Sequence, residues 1–401
     1  MAMTSRERVL TAVARRQPDR VPIDLGGSPA TGIEPALYAR LRQRLGLDGG
    51  PARVYDVWQM LTWVERSVAD ALAVDVLAVP RLTQPFETRI DRWRPWRLDD
   101  DTEVEVPANF TPVAEPDGSL GYYLRGELVA KKSPDSPYFD RMIEFKTYDP
   151  LPRVETWPMG VFRDDELEWV RRWARTLRAE TDKALFGDPG LLLGRWSGYQ
   201  EWLLTVAADP DYVRAFCERK VENILTNLQL YAQAVEDNLD IVWFGEDFGT
   251  QKGLMISPGV FNELVAPYYR RIWQWVHAHT SWKVFFHSCG GIYPIIDTLI
   301  NSGVDILNPV QVTAAGMDAG RLKREFGDRV CFWGGGIDTQ TVLPFGTPDE
   351  VRRQVRERIR VLGPGGGFVF ATVHNIQADV PVENVLALIE AVHEFGRYPL
   401  D

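Results

Sequence analysis

Lys283-Val284-Phe285-Phe286-His287-Ser288-Cys289-Gly290-Gly291 is an apolar run that stops on an imidazole, a thiol and a glycine pair. The run reads as a short buried strand. Extended geometry carried through its end turns His287 and Cys289 the same way. Together they make half of a zinc site, because zinc takes nitrogen and sulfur ligands in tetrahedral geometry and keeps a position open where it is catalytic. The third ligand must come from elsewhere, and the best candidate is His374, which follows another apolar run, Phe368-Val369-Phe370-Ala371. The competing reading is a packed strand end, with Cys289 as a small apolar residue.

Outward from this stretch the chain alternates strand and helix. Expected strands are 20–25, 74–79, 183–187, 240–244, 282–286, 305–310, 329–333 and 368–372. Expected helices are 5–15 (capped by Ser5), 34–46, 60–72, 165–181, 199–207, 211–237, 258–279, 292–302, 318–326, 348–361 and 382–395. Eight strands alternating with helices give an α/β fold, a (β/α)8 TIM barrel. Between 82 and 150 the texture changes to prolines and aromatic–polar alternation, with Asp117-Gly118 as a hairpin signal. This stretch is expected to be an antiparallel β insertion within a single barrel domain spanning 1–401.

Barrels of this kind carry their chemistry at the C-terminal ends of their strands. There the sequence offers Asp24, Glu246, Asp247, His287, Cys289, Gln311, Asp338 and His374. Glu246 and Asp247 follow an apolar strand and are the candidate catalytic acids, as general base, further ligand or partner of a ligand. Asp338 either lines the pocket or caps the next helix. Asn375 and Gln377 beside His374 make that pocket polar. The chain has 14 Trp. Packing explains most; a pocket for a flat or apolar ligand would draw on Trp58, Trp196, Trp202, Trp243 and Trp333. Substrate contacts are therefore expected from Asp24, Trp196, Gln311, Asp338 and Asn375.

Composition removes several classes. With 401 residues, 45% apolar and 25% charged, the chain is an ordinary globular protein. Net charge is −11 without a basic tract, which argues against nucleic acid as a partner. No apolar run approaches membrane-spanning length, and the start lacks an apolar signal core, so a cytoplasmic protein is expected. Three widely spaced Cys imply no disulfide framework.

His287-Ser288-Cys289-Gly290-Gly291, Gly334-Gly335-Gly336-Ile337-Asp338 and Val373-His374-Asn375-Ile376-Gln377, in barrel order, resemble the uroporphyrinogen decarboxylase superfamily. The openings Ser5-Arg6-Glu7-Arg8-Val9-Leu10 and Pro18-Asp19-Arg20-Val21-Pro22 are similar to its zinc- and corrinoid-dependent methyltransferase branch. The resemblance implies zinc on His287, Cys289 and a late ligand, here His374 where the branch has Cys. It also implies a corrinoid carried by a partner protein. The decarboxylases carry an arginine-rich motif after the first strand; this chain has Asp24-Leu25-Gly26-Gly27-Ser28-Pro29.

The expected function is zinc-dependent transfer of a methyl group between a small methylated compound or a thiol and that corrinoid. Alternatives are a metal-dependent hydrolase or lyase on the same barrel, or decarboxylase-like activity without the arginine motif. A homodimer is the assembly considered.

Overall fold

Seven short runs pair side by side in parallel, and their spatial order is their chain order: β1 (Val76–Val79), β2 (Ala184–Gly187), β3 (Ile241–Gly245), β4 (Lys283–His287), β5 (Ile306–Asn308), β6 (Cys331–Trp333) and β7 (Phe368–Val369). The structure is a computed structural model and describes residues 3–47, 49–142, 148, 150–194 and 198–400. The 20–25 segment closes the ring. Ile23 bridges Phe370 in parallel. Asp24 N–H donates to the Phe370 carbonyl at 2.9 Å, and Asp75 N–H donates to the Ile23 carbonyl at 2.8 Å. The fold is a (β/α)8 barrel with additional β-sheets.

Seven of the eight expected strands form, several shorter than expected, and the 20–25 segment takes the eighth position through isolated bridges. The 305–310 run pairs only over Ile306–Asn308, because Pro309 has no N–H to continue the ladder. The helix expected over 258–279 is divided into Pro258–Leu264 and Ala266–His279. The first helix, Ser5–Val13, is capped by Thr4 rather than Ser5; the Thr4 side chain accepts from Glu7 N–H, and Glu7 reaches back to the cap backbone.

Alternation sorts each strand's side chains into two cores. Val76, Ala184, Phe186, Ile241, Phe285, Ile306, Cys331, Trp333 and Val369 fill the barrel interior. Phe285 meets Phe186 edge-on at 4.9 Å between ring centres and Trp333 at 5.6 Å. Val284 and Phe286, one residue either side of Phe285, belong to the outer core beneath the helices. Val9, Ala12 and Val13 of the first helix join the interior cluster and plug one end of the barrel.

Two acids sit where strands begin. Asp75 is fully buried and takes Arg8 Nη1 at 2.7 Å, Arg20 Nη1 at 2.7 Å and Ile23 N–H at 2.8 Å. Asp240 takes Arg6 Nε and Arg178 Nη2, both at 2.7 Å. The first helix, the 20–25 segment and β1 thus meet on one carboxylate.

The β-rich chain begins earlier than expected. Ala52–Asp56 is a strand that periodicity did not reveal; it pairs antiparallel with Leu61–Thr62 and parallel with Glu103–Pro107, which pairs antiparallel with Trp93–Arg97. That sheet is mixed, not purely antiparallel. A second sheet of Val113–Ala114, Leu120–Leu124, Glu127–Lys132 and Arg141–Met142 is antiparallel throughout. The helix expected over 60–72 starts only at Arg66 and ends at Ala71. Met60 has φ +51°, outside right-handed helix, and Thr62 N–H is committed to the Ile33 carbonyl.

At the end of the 20–25 segment, Asp24 is buried, with Oδ2 accepting from Trp333 Nε1 and Oδ1 from Gly27 N–H, both at 2.8 Å. Burial pushes its carboxyl up to about 6, against the pull of these donors.

Two stability outcomes follow from these buried acids. Asp75→Ala strands two arginines and should cost about 3–5 kcal/mol of unfolding free energy in urea titrations; a loss under about 1 kcal/mol would show that the cluster does not hold the barrel closed. For Asp24 the folded pKa lies above the unfolded value. Its contribution is therefore full below the unfolded pKa and is lost as pH rises through about 6. The native protein should lose about 2 kcal/mol relative to Asp24→Asn between pH 4.5 and 7.5. An unchanged difference across that window would place the Asp24 pKa at its ordinary value.

Candidate metal centre

β4 lies between β3 and β5, and the register aligns Gly245, His287 and Asn308 across the three strands. Pairing continues one residue past His287, where Ser288 N–H donates to the Asn308 carbonyl at 2.8 Å. Cys289 N–H then donates to Asp247 Oδ1 at 2.8 Å, and Gly290 N–H to Gln311 Oε1 at 2.7 Å. Gly290 has φ +88°, and a Cβ there would lie 2.3 Å from the Gly249 carbonyl carbon. Only glycine allows the chain to turn so close to the loop after β3.

This path leaves His287 and Cys289 on one side, with Cys289 Sγ 3.3 Å from His287 Nε2. His374 reaches the same point from beyond β7, its ring centre 5.9 Å from that of His287. One ligand atom from each of the three residues lies within 4.8 Å of the others.

Hydrogen bonding selects the tautomer of His287. Asn308 Nδ2 donates to the Trp333 carbonyl at 2.9 Å, so its Oδ1 faces His287 Nδ1, at 2.5 Å. Nδ1 must carry the proton, and Nε2 presents its lone pair to the cluster. Trp243 lies against the His287 ring in a stacked arrangement, 6.4 Å between centres. Burial first, then His287, pushes the His374 imidazole down to about 4, so at neutral pH it too has a free lone pair. The Cys289 thiol is pushed up by burial and by Asp247. Without a cation it stays protonated; a bound metal would offset both effects. Two imidazole nitrogens and a thiol that needs a cation to ionise fit zinc in donor type and spacing.

The other expected residues divide. Asp247 Oδ1 is 3.7 Å from His287 Nε2, beside the cluster. Glu246, one residue earlier, faces the opposite side of the strand, where Tyr269 donates to its Oε2 at 2.8 Å. Gln311 braces the Gly290 turn. Asp338 is bound into its own turn, accepting from Gln340 N–H at 2.7 Å and from the Thr341 hydroxyl at 2.5 Å. Asn375 joins loops: Oδ1 takes Gly32 N–H at 2.7 Å, while Nδ2 reaches the Pro29 carbonyl at 2.9 Å and Gln59 Oε1 at 3.0 Å. Trp196 lies outside the described residues. Asn308 was missed by the sequence reading; it lies inside the expected 305–310 strand, one residue before a proline.

Of the tryptophans picked from the sequence for a flat-ligand pocket, Trp202 and Trp333 are buried in packing, Trp243 faces the barrel interior, and Trp58 is bonded through Nε1 to the Phe139 carbonyl. The large cavity beside the barrel mouth is walled instead by Trp63, Trp93, Trp169 and Trp173.

Comparison with known proteins converges on one family. Residues 190–395 match the family model described as uroporphyrinogen decarboxylase (URO-D). A uroporphyrinogen decarboxylase of Coxiella burnetii is 30% identical over 176 residues, 43% of this chain and 45% of that protein. One from Actinobacillus succinogenes is 31% identical over 275 residues, 62% of this chain and 67% of that protein. The chain spans about half the length of the first curated relatives it matches. Among solved structures, a methyltransferase from Methanosarcina mazei superposes with a TM-score of 0.61 at 16% identity, covering 98% of this chain and 99% of that one. On the extent of these matches, the chain belongs to the uroporphyrinogen decarboxylase family.

Proposed function

We propose that the protein is a zinc-dependent methyltransferase that moves a methyl group between a small methylated compound or a thiol and a corrinoid carried by a partner protein. In this reading residues 1–401 work as one barrel domain with 82–150 as an insertion. The observation that carries the proposal is the convergence of His287, Cys289 and His374, with Asn308 fixing the His287 lone pair toward the others. Bound zinc would supply Lewis acidity toward a substrate heteroatom and lower the pKa of a thiol held on it. His287 and His374 would hold the metal through neutral nitrogens, and Cys289 through its thiolate. Asp247, beside His287 and partly open to solvent, would take the proton that a substrate thiol releases. Glu246, turned to Tyr269, would support the strand end and stay out of the chemistry.

Porphyrinogen decarboxylation is the weaker reading, despite the names of the relatives. The first strand ends in Asp24-Leu25-Gly26-Gly27-Ser28-Pro29, with no arginine to hold substrate carboxylates. No helix among the described residues is long and apolar enough to cross a membrane.

Elemental analysis of the purified protein should find one zinc per chain. Cys289→Ala and His374→Ala should each lose most of it, and zinc affinity should fall in acid as the thiol regains its proton. Asn308→Ala frees the His287 ring and should weaken zinc binding about 10–100-fold. Consumption of methylcobalamin with an added thiol, followed by absorbance, should require zinc and fail in Cys289→Ala. Full zinc occupancy in either ligand variant removes that residue from the centre. Equal methyl transfer by zinc-stripped protein overturns the mechanism.

A further inference from the structure

A cavity of about 630 Å³ opens among the ends of the 20–25 segment, β1 and β2, the Ala52–Asp56 sheet and the helix Asp164–Glu180. Its size falls within the roughly 300–1,000 Å³ of small-molecule sites. None of the three metal-centre residues lines it.

The walls are aromatic and fixed. Trp63 and Trp173 pack with ring centres 5.1 Å apart, and Trp169 adjoins Trp173 at 6.0 Å. Trp169 is anchored by its Nε1, which donates to the Pro80 carbonyl at 3.1 Å. Two rings already carry cations: Arg172 lies 4.8 Å over Trp169, and Arg53 lies 5.3 Å over Trp93. The walls are therefore less suited to a further cation than to a flat, uncharged ring against Trp63 and Trp173.

The polar end offers donors. Tyr55 lines the cavity, and its hydroxyl has no hydrogen-bond partner among the described residues. Burial, then Asp56 and Asp188, keeps the phenol protonated and donating. Among the described residues Arg81 has one ion pair, to Asp188 at 3.5 Å, which leaves most of its five N–H groups for other acceptors. The chain makes room for it: Gly190 has φ +66°, and a Cβ there would lie 1.8 Å from Arg81 Nη1. Two donors call for an acceptor on the ligand. Asp24, Asp56 and Asp188 all act on the Tyr55 phenol against Arg81 alone, which disfavours adding a carboxylate. A neutral oxygen remains.

We infer that this cavity binds a neutral planar aromatic ether or phenol of one or two rings, lying against Trp63 and Trp173 with its oxygen on Tyr55 and Arg81. That such a compound serves as the methyl donor rests on the methyltransferase reading; that the cavity binds it does not.

The test is calorimetric titration, with tryptophan quenching in parallel, using 1,2-dimethoxybenzene, its saturated counterpart 1,2-dimethoxycyclohexane and its carbon counterpart 1,2-diethylbenzene. The aromatic ether should bind saturably and at least tenfold more tightly than either counterpart. Tyr55→Phe, which removes one oxygen, should weaken it about tenfold. Cys289→Ala should bind it as the native protein does. Absence of saturable binding, equal binding of the saturated or carbon counterpart, or unchanged affinity in Tyr55→Phe overturns the inference. The probe comparison on native protein decides even if the variant does not fold. Zinc retained without probe binding sinks the cavity alone; probe binding without zinc sinks the metal reading alone.

Discussion

The barrel closes on one buried carboxylate. A ring of eight short parallel strands has no free edge only if its first strand pairs with both its neighbours, and the 20–25 segment does so mostly by isolated bonds rather than by a ladder. Asp75 compensates. It lies at the start of β1, accepts the backbone N–H of Ile23, and binds Arg8 of the first helix and Arg20 of the segment itself. Three pieces of chain that are distant in sequence are tied at a point where water cannot compete. Such a cluster is expensive to bury and still more expensive to break, so it specifies closure more than it adds stability.

Closure at one end sets the geometry at the other. Because all strands run in parallel and in chain order, their C-terminal ends arrive together, and the register decides which side chains become neighbours. His287 stands beside Asn308 because β4 and β5 pair at that position. Asn308 has only one orientation available once Trp333 takes its amide hydrogens. The imidazole's proton is thereby placed without any charged partner, and its free nitrogen is directed at Cys289 and His374. The same low-dielectric surroundings that keep His374 neutral penalise the thiolate of Cys289. A cluster of this kind is compatible with a divalent cation, which would offset the cost of the thiolate.

Much of this was legible in the sequence, because it depends on short-range patterns. Apolar runs alternating with helical stretches located the eight barrel positions, and the His-x-Cys spacing with a late His located the cluster. What was not legible depended on tertiary context. Ala52–Asp56 is too short and too mixed to stand out as a strand, and it pairs across fifty residues with Glu103–Pro107. Tyr55 and the cavity it lines were hidden with it. Glu246 and Asp247 look equivalent as letters, yet they point to opposite sides of one strand end, so only the side that faces the helix Ala266–His279 binds Tyr269. Asp338 and Asn375 follow strand ends as expected, but Asp338 is bonded into its own turn and Asn375 ties its loop to Pro29, Gly32 and Gln59. The tryptophans were the least readable, since a large aromatic side chain packs a core or walls a cavity with the same composition.

Trp333 joins the two parts of the barrel mouth. Its indole N–H goes to Asp24, two residues before Gly26 of the cavity wall, while its backbone carbonyl takes the Asn308 amide that orients His287. Both bonds come from one residue on β6, buried in the interior cluster with Phe285 and Phe186 packed against it. A shift of Trp333 as a whole, backbone and indole, would change the surroundings of Asp24 and the tilt of Asn308 together. The carboxyl of Asp24 changes charge near pH 6 and prefers its donors more strongly when ionised. The hydrogen bond to Trp333 is therefore firmest where burial of the charge costs most. The packing of the inner aromatic cluster, rather than any single bond, must hold the indole in place across that change. That makes the apolar interior the element that keeps the metal cluster and the cavity in fixed relation.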